Sequence, residues 1–383
     1  TPAPVTKAPS ENGHVWIKGP NKKWGLIGHD TVFVPFKFDE ILSGNNEFSL
    51  VGMKVDYRTS PRIFGFINSQ RMADHIMHKV GLVNKINGKT ILQPTVWYIR
   101  YEDFEKGEYG KVILEGGQQG LVSKTTGKII QEVTITTKDK KILKEQINYV
   151  GKFSEGIASF CTGCNVNLAG DFNSEKAEGG KWGFIAQDGK ILTEPQFESV
   201  SEIINKRSIV KVKGFYGVIS VSGAYILKPE FSSIKYLNGS DNKYFITEQK
   251  KEKYGVINQE GKVIADLNYD RIYPYKEGFA RIMTGGKYGF INEKGEIIVT
   301  PKFDNAYDFS GGLAAVAVGK LWGYLNAKGE TEILPLTPFA GNFKNGLAPV
   351  SKDGKIGYMN TDSKIIVAPI YRAATDFNNG LAI

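Results

Sequence analysis

The chain has 383 residues, a hydrophobic share of 41% and a formal net charge of +9. That share is ordinary for a folded protein and excludes disorder over most of the length. The positive charge is scattered and interleaved with acids, as in Lys138-Asp139-Lys140-Lys141. No Lys/Arg stripe forms of the kind a nucleic-acid contact needs, so no nucleic-acid partner is expected.

Residues 1–13 read as a Pro-rich linker beginning Thr-Pro-Ala-Pro. Such a spacer suits a tether between a membrane anchor and a folded body, so an exported chain with possible tethering through its N-terminus is expected. No run of about 18 apolar residues occurs, and no transmembrane segment is expected. From His14 onward one pattern recurs. Lys23-Trp24-Gly25-Leu26-Ile27 opens it. An insertion near 56–79 follows, holding Phe64-Gly65-Phe66 and Asp74-His75-Ile76-Met77-His78. The histidine pair could in principle meet a metal with Asp74, but it reads as a polar loop, and no metal or cofactor is expected.

Val80-Gly81 and Gln119-Gly120 keep the glycine and lose the aromatic. A second insertion near 134–180 carries Cys161-Thr162-Gly163-Cys164, the only cysteines. The insertion reads as a loop, and a disulfide stapling it after the strand Ile157-Ala158-Ser159-Phe160 is the first reading, with free thiols, redox and metal roles behind it. The pattern then becomes regular, with Trp182-Gly183, Tyr216-Gly217, Tyr254-Gly255, Tyr288-Gly289, Trp322-Gly323 and Ile356-Gly357. Consecutive glycines lie 34 residues apart, with one spacing of 38.

Each unit reads as strands. Leu313–Val318 leads through Gly319-Lys320 into the strand of Trp322-Gly323, and a Gly-containing turn returns the chain. A third strand such as Glu296-Ile297-Ile298-Val299 follows, closed by Pro301. Pro35, Pro94, Pro195, Pro229 and Pro369 hold equivalent places. Leading strands are apolar on both faces, which requires burial on both. One unit cannot bury its own faces, so neighbours must cover it. The expected fold is therefore all-β: about nine tandem repeats of about 34 residues over 14–383, with about three short antiparallel strands each. An open superhelical array is preferred, and a closed β-propeller is the alternative. The aromatic before each glycine reads as packing between units, and the glycine as a close backbone approach or bulge.

These residues resemble the WG-repeat family, also called KWG after motifs such as Lys181-Trp182-Gly183 and Lys23-Trp24-Gly25. The resemblance runs from about His14 to Ile383, with departures at Val80, Gln119 and Ile356. It implies a noncatalytic bacterial scaffold, often in exported or envelope proteins, and no particular ligand. The expected location is the bacterial periplasm, outer membrane or cell surface. No G-x-S-x-G, H-E-x-x-H or P-loop pattern occurs, and an enzyme is not expected. A scaffold for protein partners is the first expectation. A carbohydrate or cell-wall binding module is the second, with Trp16, Trp97 and Tyr98 as candidate aromatics outside the repeat phase.

Overall fold

The computed structural model describes residues 14–28, 31–55, 78–136, 140–167, 175–236, 244–249, 253–258, 260–377 and 381–382. Asp74 and His75, like Phe64-Gly65, lie outside these residues. Among the described residues, every regular element is a β-strand apart from a 3-10 turn at Tyr101–Glu105. Among the described residues the strands form nine sheets, each a meander of three to five strands in sequence order, and none closes on itself. By compactness the chain divides into two units, with the division falling within 214–224.

A typical sheet has four strands rather than the three expected. In the C-terminal unit, Asn305–Ala306, Leu313–Val318, Leu321–Asn326 and Thr331–Thr337 pair antiparallel in that order. The extra first strand is two residues long, too short to show a period of two in sequence. It pairs as Asn305↔Ala317 and Ala306↔Val316. The prolines do not stop the last strand. Pro301 lies inside Ile297–Phe303 and Pro335 inside Thr331–Thr337, each the outermost strand of its sheet. An edge strand tolerates a residue that cannot donate to a ladder.

Most motif glycines, among them Gly25, Gly81, Gly183, Gly255, Gly289 and Gly323, sit opposite a shift in strand register. Trp322 pairs with Thr337, yet Tyr324 pairs with Ile333. A β-carbon on Gly323 would meet the Ile333 carbonyl oxygen at 2.4 Å and the Pro335 nitrogen at 2.7 Å. Both are backbone atoms and cannot swing aside. The bulge brings two backbones too close for any side chain between them. Gly289 meets Val299 and Pro301 in the same way, and Gly357 meets Val367 and Pro369.

Burial follows from the two-faced leading strands. Leu313 and Ala315 pack into a cluster with Tyr324, Phe343, Ala348 and Val350, while Ala314 and Val316 pack against Phe290, Val299 and Phe309. Each face thus buries against a different neighbouring sheet. The residue after the glycine completes the joint. Phe290 meets Phe309 at 5.1 Å, Tyr324 meets Phe343 at 4.7 Å, and Tyr358 meets Phe377 at 4.9 Å. Such edge-on aromatic pairs add about 0.5–1.5 kcal/mol beyond their buried area.

Polar clamps repeat too. The Lys preceding the aromatic pairs with the Asp following the next aromatic, as Lys23–Asp39, Lys253–Asp270 and Lys287–Asp304. The same carboxylates accept the backbone N–H of Lys54, Gly285 and Gly319 in the following hairpin. Glu277 accepts from Gly311 and Gly312 at 2.8 and 2.9 Å, and Glu155 accepts from Asn205 and Lys206 at 2.9 and 2.8 Å. Each clamp fixes one repeat on the next.

The second insertion is not a loop. Its described residues lengthen strands of a five-stranded sheet, with Ile142–Val150, Ile157–Asn167 and Lys176–Ala186 paired in turn. Cys161 and Cys164 lie on the middle of these strands and are joined in a disulfide.

Candidate functional site

The six motif aromatics, Trp24, Trp182, Tyr216, Tyr254, Tyr288 and Trp322, are all half-buried, and the glycine after each is buried. Trp322 stacks on Tyr307 with ring centroids 4.8 Å apart and planes 21° apart. Tyr288 lies beside Tyr273, whose ring carries the Arg281 guanidinium at 4.1 Å. These side chains close the seam over the core without entering it.

Strand register identifies the same seam in the repeat that carries Gln119. Tyr98↔Ile113, Ile99↔Val112 and Gln119↔Ile113 match Asn305↔Ala317, Ala306↔Val316 and Trp322↔Ala317. Gln119 therefore occupies the place of Trp322, Lys111 that of Ala315, and Arg100 that of Tyr307. Here the seam is polar and deep. Gln119 is fully buried, and Lys111, Arg100 and Asp103 are each under a tenth exposed.

Every one of these groups is held by a neighbour. Lys111 Nζ donates to Glu175 Oε2 at 2.6 Å, with both side chains 2% exposed. Gln119 Nε2 donates to the same Glu175 oxygen at 2.6 Å, and Gln119 Oε1 accepts from the Val150 N–H at 2.9 Å. Arg100 Nε donates to both Asp103 oxygens at 3.0 and 2.9 Å, and its Nη2 donates to the Gly151 carbonyl at 2.7 Å. Asp103 also accepts the Lys111 N–H at 2.9 Å. Burial pulls the Lys111 ammonium down to about 8, and the Glu175 carboxylate only partly counters it. Burial raises Asp103, with Arg100 opposing the rise.

Arg100, Lys111 and Glu175 of this network line a cavity of about 420 Å³ whose walls also include Tyr149, Trp182 and Ser201. The volume falls within the range of small-molecule sites. Tyr149 and Trp182 stand edge to face at 5.7 Å, and the Trp182 indole N–H is anchored on the Gly179 carbonyl at 3.1 Å. Lys111 Nζ lies 5.0 Å from the centre of the Tyr149 ring. Glu175 Oε1, buried in the same cavity, has no hydrogen-bond partner.

Trp16 and Trp97, the aromatics considered for sugar binding, are buried at 6% and 4% exposure, and Tyr98 is half-buried. Trp16 lies on the first strand of its sheet, and Trp97 at the bend between Thr90–Val96 and Tyr98–Ile99; burial of both indoles withdraws them from a surface site. Among the described residues no group of three His, Cys, Asp or Glu side chains is placed to hold a metal ion. No described helix is long and apolar enough to cross a membrane.

Residues 182–214, 254–288, 288–322, 322–355 and 356–383 each match the family described as WG containing repeat. No curated protein matches the chain in sequence. Solved structures with partial likeness include BamB from Moraxella catarrhalis, at 12% identity over 67% of this chain and 87% of that one, with a TM-score of 0.25. Another is the extracellular domain of a hybrid two component system from B. thetaiotaomicron, at 9% identity over 98% and 66% of the two chains, with a TM-score of 0.24. A KlHsv2 variant with one loop replaced by a Gly-Ser linker is 13% identical over 44% and 65%, with a TM-score of 0.26. Likeness at this level carries no inference about what this chain binds.

Proposed function

Because this chain belongs to the WG-repeat family, whose unit matches it in five tandem segments, we propose that it is a noncatalytic scaffold that docks protein partners in a bacterial envelope or surface assembly. The observation that carries this reading is on the outermost strands of the last two repeats. Leu334 and Leu336 flank Pro335 at 64% and 72% exposure, and Ile370 follows Pro369 at 65%. Earlier repeats place polar residues there, Thr300 and Lys302 about Pro301 and Lys228 and Glu230 about Pro229. Large apolar side chains left in water at the edge of a sheet suit a protein partner. The flanking prolines keep that edge from extending into a further strand. The Cys161–Cys164 disulfide supports export, since such bonds persist in oxidising compartments.

The test is chemical crosslinking in envelope extract with the wild type and a Leu336→Glu/Ile370→Glu double variant of unchanged melting temperature. A partner recovered by the wild type and lost from the double variant is the expected result. Recovery of no partner by the wild type, or of the same partner by both, overturns the reading.

A further inference from the structure

We propose that the cavity between Trp182, Tyr149 and the Lys111–Glu175 pair is a binding site for a neutral sugar ring. This site belongs to the N-terminal unit and stands independently of the apolar edge strands discussed above.

The geometry makes three demands on an occupant. The first is a hydrogen-bond donor. Glu175 has a side chain 2% exposed and two carboxylate oxygens, of which Oε2 takes Lys111 and Gln119 and Oε1 takes nothing. A buried carboxylate oxygen without a donor costs free energy, and a ligand hydroxyl would recover it by drawing the Glu175 carboxylate toward the cavity, since this oxygen is sealed from water as it stands. The second is an apolar face. Trp182 is half-buried, and its indole is pinned by its own N–H on Gly179, so one face is held ready without further ordering. Tyr149 stands edge-on to it, with the ring planes 66° apart, and makes a corner. The electron-rich face of an aromatic ring attracts the partly positive C–H bonds on one side of a pyranose.

The third demand is neutrality. Arg100, Lys111 and Lys152 all line the cavity, which disfavours an amine. Arg100 and Lys111 are already committed to Asp103 and Glu175, and Glu202 offsets the charge of Lys152, so no net positive charge is left for an anion. What remains is a ligand with hydroxyl donors, an apolar face and no charge. The space opens beside Trp182 because Gly151, at the register position that Tyr307 holds beside Trp322, has no side chain to fill it.

The experiment is saturation-transfer NMR on the full chain. The probes are methyl glycosides of glucose, galactose, mannose and N-acetylglucosamine, with glucuronate and glucosamine as charged counterparts. The expected result is binding of at least one neutral methyl glycoside, weakened about tenfold by Trp182→Ala. Trp182→Phe, which keeps a ring in the seam, should weaken it less, and Trp322→Ala should leave it unchanged. If Trp182→Ala fails to fold, the wild-type panel and Trp182→Phe still decide the matter. The proposal is overturned if no neutral glycoside binds, if only the charged sugars bind, if Trp182 substitution leaves binding intact, or if Trp322→Ala reduces it equally.

Discussion

Tyr307 and Trp322 close one seam with a stacked aromatic pair, whereas Arg100 and Gln119 stand at the same register positions in another and close it with hydrogen bonds. The backbone beneath is alike in both. A β-carbon on Gly323 would meet the Ile333 carbonyl oxygen at 2.4 Å, and one on Gly120 the Ile130 carbonyl oxygen at 2.5 Å. The difference teaches which half of the dipeptide the fold requires. The glycine is fixed by contact between two backbones, so nothing else fits. The residue before it lines a half-open seam and can change, provided that the space is filled and buried polar groups are paired. Val80 and Ile356 are the apolar versions of the same freedom, for Gly81 and Gly357 keep their close contacts with the Leu92 and Val367 carbonyls.

The largest effect that separates the two seams is expected at Glu175. Glu175→Ala strips the buried Lys111 ammonium of its partner and leaves Gln119 Nε2 without an acceptor. Removal of one member of a buried ion pair typically costs about 3–5 kcal/mol, and urea unfolding should show a loss of this order. A loss no larger than that of an exposed ion pair, about 0–1 kcal/mol, would place the pair in solvent.

A smaller effect is expected from pH. The Lys111 ammonium titrates near 8 in the folded chain and near 10.5 when unfolded. Between those values the unfolded chain holds the extra proton, so stability should rise with pH across that window. Below about 8 both states are protonated and the penalty is constant. Lys111→Met should abolish the rise, so the unfolding free energy of the wild type minus that of the variant isolates it from tyrosine titration. A difference that stays flat through the window would show that burial does not depress this lysine.

Much of the fold was legible because its causes are local. The aromatic-glycine spacing, the two-faced leading strands and the edge prolines each leave a pattern in a short stretch of chain. The two-residue first strands were not legible, since two residues carry no periodicity. The second insertion read as a loop because its strand Ile157–Asn167 includes Cys161-Thr162-Gly163-Cys164, whose left-handed Gly163 at φ 67° interrupts the strand pattern. The polar seam was the least legible. Its lysine and carboxylate lie 64 residues apart, and one Lys among many reads as surface. Its single trace in sequence was Gln119 standing where an aromatic was due. Trp16 and Trp97 drew notice for lying outside the repeat phase, yet packing explains both.

The account rests on the motif glycine being a point of backbone contact rather than a flexible joint, and two alanine substitutions in one repeat test this directly. Gly312 has φ 79° and open space where a β-carbon would go, so Gly312→Ala should cost only the left-handed backbone strain, about 1 kcal/mol. Gly323→Ala must push the Ile333–Pro335 backbone away and should cost about 3 kcal/mol by urea unfolding. Equal losses, or a larger loss at Gly312, would contradict the account.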